Sequence, residues 1–137
     1  MEILKAEAVA KVYQTQAEKV YALREVDLTV QSGGFLIING PSGSGKTTLL
    51  NLLSGIDQPS AGQIYLGGQA LGDLKDGART EIRRQKIGLI FQSFELIPVL
   101  TVEENVEYPL LLQKVGGERR KKRVQEVLSQ VGLGGLG

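Results

Sequence analysis

The chemistry legible in this sequence is concentrated in eight consecutive residues, Gly40-Pro41-Ser42-Gly43-Ser44-Gly45-Lys46-Thr47. They match the phosphate-binding pattern G-x-x-x-x-G-K-[ST]. Glycines let the backbone turn tightly and bring its N–H groups against phosphate oxygens. A helix starting at the end of such a loop adds partial positive charge, worth roughly 0.3–2 kcal/mol per anionic group. Lys46 reaches the β- and γ-phosphates, the Thr47 hydroxyl suits a magnesium ion, and Thr48 is placed to touch the α-phosphate. The competing reading is a glycine loop that merely turns a strand into a helix. Residue frequencies would produce the bare pattern in on the order of one per cent of chains this rich in glycine. The apolar run before it and the helical pattern after it lower that further, so phosphate binding is preferred.

Composition removes several other chemistries. The 137 residues contain no cysteine, which excludes a disulfide frame or a thiolate metal site, and no histidine, which excludes imidazole acid–base work and most zinc sites. The formal net charge is only +1, so no global field points to nucleic acid or an anionic membrane. No apolar run approaches the ~18 residues of a membrane helix. The first residues, Met1-Glu2-Ile3-Leu4-Lys5, lack the pattern of a signal peptide, so a cytoplasmic chain is expected.

The phosphate loop needs a rigid frame. Residues 3–12 alternate loosely and Val26–Val30 alternates cleanly, predicting two strands, with a turn at residues 31–34. Phe35–Ile38 is continuously apolar, as is Ile87–Phe91; both read as strands buried on two faces. A helix is predicted from about Lys46 to Leu53, ending at Gly55, then a strand at Gln63–Leu66 and an arginine-rich helix over 76–86. Thr101-Val102-Glu103-Glu104 is a capping box, and the helix it starts should kink or end at Pro109. A last helix is expected from about Glu118 to Val131. Val124, Val127, Leu128 and Val131 form its apolar face, Arg119–Arg123 its solvated face, and Gly132 its cap.

Further matches narrow the family. Guanylate-type nucleotide kinases also carry a G-P-S-G-x-G-K loop, but close to the N-terminus, whereas 39 residues precede it here. Lys11-Val12-Tyr13 and Val20–Leu28, the stretch Thr47–Gly55 with Pro59-Ser60-Ala61-Gly62, Ile87–Gln92, and Phe94–Val106 together resemble the ATP-binding subunits of ABC transporters. The resemblance is to the branch containing lipoprotein-release and macrolide-export ATPases, and it extends over essentially the whole chain. A small departure is Gly34, where the family often has glutamate. The fold implied is α/β, a P-loop NTPase of the ABC ATPase type in incomplete form. Its parts would be an N-terminal antiparallel β-subdomain, the P-loop strand and helix, the Q-loop strand and the start of the helical subdomain. This is one domain over 1–137, with about 1–92 as ATP-binding core and about 93–137 opening the helical part.

The resemblance also implies roles. The ligands are ATP and magnesium, held by Gly40, Pro41, Ser42, Gly43, Ser44, Gly45, Lys46, Thr47 and Thr48. Tyr13 takes the place of the aromatic that stacks on adenine, and Gln92 that of the glutamine that helps hold the metal or water. Phe94, Leu96 and Pro98 fall where the family receives a helix of its membrane permease, although simple packing would also explain them. A second nucleotide-binding subunit and a position at the inner face of the cell membrane are implied as well. The family signature L-S-G-G-Q, the Asp-Glu strand end and the switch histidine are not found in these residues. The four aspartates, Asp27, Asp57, Asp73 and Asp76, all precede the Q-loop. The chain is therefore expected to bind nucleotide without turnover, and its two buried strands would lack the neighbours that the family places between them.

Overall fold

In the computed structural model, which describes residues 1–135, the chain forms two compact units, Met1–Arg83 and the residues from Arg84 onward. Leu136 and Gly137 lie outside the described residues.

The first unit is built on an antiparallel sheet of β1 (Glu2–Gln14), β2 (Lys19–Gln31), β3 (Ala61–Leu66) and β4 (Gln69–Ala70), in the order β2-β1-β3-β4. Ala6 and Val9 are both buried, although strict alternation would put residues three apart on opposite faces. A bulge resolves this. Ala8 takes a positive φ of 46°, its amide donates to Asp27 Oδ1 at 2.7 Å, and the register shifts between Ala6 and Val9. Gly62 on β3 is required opposite the bulge, because a Cβ there would lie 2.3 Å from the Ala8 carbonyl oxygen.

The helix α1 (Lys46–Leu53) has the expected bounds. Its buried Leu49, Leu52 and Leu53 share a core with Val9, Leu23, Ile64, Leu66 and Leu71. Each such side chain contributes roughly 1.5–3 kcal/mol, so this cluster dominates the stability of the unit. A short 3-10 turn at Leu71–Asp73 leads to α2 (Asp76–Lys86), which buries no residue and is tied down by Arg83 donating to the Gly55 carbonyl at 3.0 Å.

In the second unit, α3 (Val102–Leu112) begins with the predicted capping box. The Glu104 amide donates to Thr101 Oγ1 at 3.2 Å, and the Thr101 amide donates to Glu104 Oε2 at 2.7 Å. α4 (Gly117–Gln130) packs on α3 through Val124 and Leu128, with Arg120 bonded to Glu107. Gly132 closes α4 at φ 77°, where amides 132 and 133 return to the carbonyls of Ser129 and Leu128.

Three expectations are corrected and one is narrowed. Phe35–Ile38 and Ile87–Phe91 are not strands; neither joins the sheet. They are not buried either: Phe35 is 90% exposed, Ile37 71%, and Ile90 fully. A strand exists only with a lateral partner for its N–H and C=O groups, and no described segment pairs with these two. Of the two outcomes expected at Pro109, a kink or an end, the end does not occur: α3 runs on to Leu112, with the Pro109 carbonyl accepting from the Gln113 amide at 3.1 Å and Arg84 bonded to the Leu112 carbonyl. Val131 follows α4 instead of completing its apolar face, and it is 64% exposed.

Candidate functional site: a phosphate-binding groove

Three pieces of chain converge at the front of α1. The loop 40–45 turns over Gly43 and Gly45, with φ of 78° and 93°, conformations that glycine adopts without strain. Gly45 is also the point of closest approach to β2. A Cβ there would stand 2.6 Å from the Ala22 carbonyl oxygen and 3.0 Å from Leu23 Cδ2. This contact seats the loop against β2. Between them lies a groove of about 520 Å³ lined by Val20, Tyr21, Ala22, Ser42, Gly43, Gly45, Lys46, Thr47 and Thr48.

The groove suits a polyanion. No side chain caps the N-terminus of α1, and the first intrahelical bond is made by the Leu49 amide to the Gly45 carbonyl at 2.9 Å. The amides of Lys46, Thr47 and Thr48 therefore have no acceptor within the helix and carry its positive end. Lys46 lies across the loop, its Nζ donating to the carbonyls of Gly40 at 2.5 Å and Pro41 at 2.8 Å, with Ser44 Oγ at 3.4 Å. The ammonium is thus already held beside the place where phosphates would bind. The Thr47 side chain is exposed in the same groove, where its hydroxyl is open to a cation.

The structure brings residues 40–48 together. Tyr13 stands near the end of β1 opposite Val20, one of the lining residues, but does not itself line the groove. The residue is 43% exposed and its hydroxyl donates to Asp57 Oδ2 at 3.2 Å. Gln92 belongs to the second unit, exposed in a turn. In that unit Asn105 organises the segment before α3. Its Oδ1 accepts from the Ile97 amide at 2.8 Å, and its Nδ2 lies 2.9–3.2 Å from the carbonyls of Ile97, Leu100 and Thr101. Phe94 and Leu96 nearby are 82% and 66% exposed.

Sequence reasoning missed Val20, Tyr21 and Ala22 as groove walls. The signal was the hairpin itself, since a residue paired with Tyr13 must share its face. It also missed Lys11 and Asp57 beside Tyr13, for which separation along the chain leaves no local signal. Among the described residues no group of three or more His, Cys, Asp or Glu is placed to hold a metal, and no helix is long and apolar enough to cross a membrane.

The chain is similar to known proteins over most of its length. The family model described as ABC transporter matches residues 23–137. The ABC transporter ATP-binding protein MJ0796 of Methanocaldococcus jannaschii is 45% identical over 134 residues, 96% of this chain and 57% of its own length. The macrolide export ATP-binding/permease protein MacB 1 of Yersinia pseudotuberculosis is 39% identical over 132 residues, 96% of this chain but 20% of its own. A solved dimeric structure of the MJ0796 cassette bound to ADP and Pi superposes with a TM-score of 0.86 at 45% identity, covering 93% of this chain and 56% of that one. The chain spans about half the length of the ABC transporter ATP-binding proteins it matches at 44–45% identity. With a family model matched over most of its residues and a relative 45% identical over nearly the whole of it, this chain belongs to the ABC transporter ATP-binding family.

Proposed function

We propose that these residues form the nucleotide-binding part of an ABC transporter's ATP-binding subunit, that they take up ATP with magnesium on the Gly40–Thr48 loop, and that by themselves they do not turn it over. The observation that carries this reading is the groove at α1, where an uncapped helix N-terminus, two left-handed glycines and the Lys46 ammonium converge. Bound magnesium would neutralise phosphate charge beside Thr47. Lys46 exchanges its loop carbonyls for phosphate oxygens, the first-turn amides hold the phosphates, and Tyr13 stacks on the base. Gln92 is assigned to the metal or the attacking water.

The turnover claim rests on what phosphoryl transfer requires, namely a positioned nucleophile and stabilisation of the leaving charge. Three of the four aspartates are engaged elsewhere: Asp57 with Lys11 and Tyr13, Asp27 with the Ala8 amide, Asp76 with Arg79. No histidine is available. The partners proposed are a second nucleotide-binding subunit and a membrane permease meeting residues 92–104 at the inner face of the cell membrane. Exposed Phe94 and Leu96, on a segment pinned by Asn105, support that surface. Residues from about 93 onward are read as the opening of the helical subdomain.

The test is calorimetry of the purified chain with ATP and magnesium, together with phosphate release against Lys46→Ala. Saturable binding with no Lys46-dependent release is expected. A Lys46-dependent rate of about one per second, within the range of competent phosphoryl-transfer enzymes, would overturn the turnover claim. Absence of binding would overturn the site.

A further inference from the structure

Tyr13 sits one residue before the end of β1, beside the turn that closes the hairpin, where an aromatic side chain would ordinarily exchange between rotamers. A ring that must be ordered on binding costs its ligand affinity. Here the ring is already held. Its hydroxyl donates to Asp57 Oδ2 at 3.2 Å, and the Lys11 ammonium lies over one face, 5.2 Å from the centroid. Lys11 is itself fixed, donating to Asp57 Oδ1 at 3.0 Å and to the Gln58 carbonyl at 2.7 Å.

The tether has a firm base. The Asp57 amide donates to the Asn51 carbonyl of α1 at 3.1 Å, and the Gln58 amide donates to Asp57 Oδ1 at 2.7 Å. Ser60 then clips the same loop to β1, accepting from the Val12 amide at 3.0 Å and donating from its own amide to the Ala10 carbonyl at 2.8 Å. A continuous set of bonds thus joins the helix behind the phosphate loop to the tyrosine ring. Lys11 covers one face of that ring, and 43% of the residue remains open.

We propose that Lys11 and Asp57 are positioning residues that hold the Tyr13 ring opposite Val20, a residue of the groove wall, with one ring face presented to the base of the nucleotide. The inference rests on the reading that Tyr13 stacks on adenine. It adds that the stacking surface is built before the ligand arrives, and that the residues building it touch no part of the ligand.

The experiment compares MgATP with magnesium tripolyphosphate, which has no base, by calorimetry on the whole chain. Asp57→Ala should weaken ATP by about 2–10-fold, the cost of ordering one side chain, and leave tripolyphosphate unchanged. Tyr13→Phe, which keeps the ring and removes only the tether, should weaken ATP to a similar degree. In a Tyr13→Ala background, Asp57→Ala should have no further effect on ATP. Equal loss for both ligands, or an undiminished effect in the Tyr13→Ala background, would reduce the cluster to a loop staple and overturn the proposal. So would unchanged ATP affinity in Tyr13→Phe, a variant that disturbs no backbone contact. If Tyr13→Ala itself fails to separate ATP from tripolyphosphate, the stacking reading has failed, and positioning falls with it.

Discussion

Replacing Lys46 by alanine removes the one full side-chain charge in the phosphate loop, and the structure allows the consequence to be sized. In the present conformation the ammonium donates to two neutral carbonyls, of Gly40 at 2.5 Å and Pro41 at 2.8 Å. Binding exchanges them for charged phosphate oxygens. The ammonium is charged in both states, so the exchange adds only its attraction to a charged oxygen, about 1.4 kcal/mol per pair at about 3 Å in a water-like dielectric. Two exchanges gain about 1–1.5 kcal/mol each, or roughly 2–3 kcal/mol together, which is ~30–150-fold in affinity. Lys46→Ala should therefore lose most of the affinity for MgATP. The fold should survive, because α1 is anchored by Leu49, Leu52 and Leu53, none of which touches this interaction in kind. Isothermal calorimetry gives the affinity, and circular dichroism during thermal unfolding checks the fold. Affinity within a factor of two of the parent, in a variant that melts normally, would refute the assignment of the groove to phosphate.

Tyr13→Ala should cost roughly 1–3 kcal/mol of binding for ATP and GTP alike, since stacking tolerates different bases; titration with both nucleotides checks this, and a change confined to one would argue against stacking. Gly45→Ala should unseat the loop, because the residue sits at φ 93° with its missing Cβ 2.6 Å from the Ala22 carbonyl oxygen; a loss of MgATP affinity at least as large as that of Lys46→Ala is expected by calorimetry. Aspartate at Phe94 or Leu96, introduced into a full-length relative, should block co-purification with its permease while leaving nucleotide binding intact. Phosphate release by the chain alone should not exceed that of Lys46→Ala in a coupled assay.

Some features were legible because their physics is local. The phosphate loop is one: its glycines, lysine and threonine specify a turn and a helix start within a few residues, and α1 runs over Lys46–Leu53 as expected. The Thr101–Glu104 box is another, since both bonds close within three residues. Tertiary structure decided the rest. Phe35–Ile38 and Ile87–Phe91 have the composition of buried strands, yet composition records only what a segment would bury and not whether a neighbour is there to pair with it. The bulge at Ala8 depends on Asp27, nineteen positions away, and on the missing side chain of Gly62. Lys11 and Asp57 lie 46 positions apart, and neither residue type at its own place announces the other. They meet because β3 folds back beside β1 and carries the loop after α1 onto the end of the hairpin. That closure is won by burying Val9, Leu52 and Ile64 together, and only then does Tyr13 acquire the carboxylate that holds its hydroxyl.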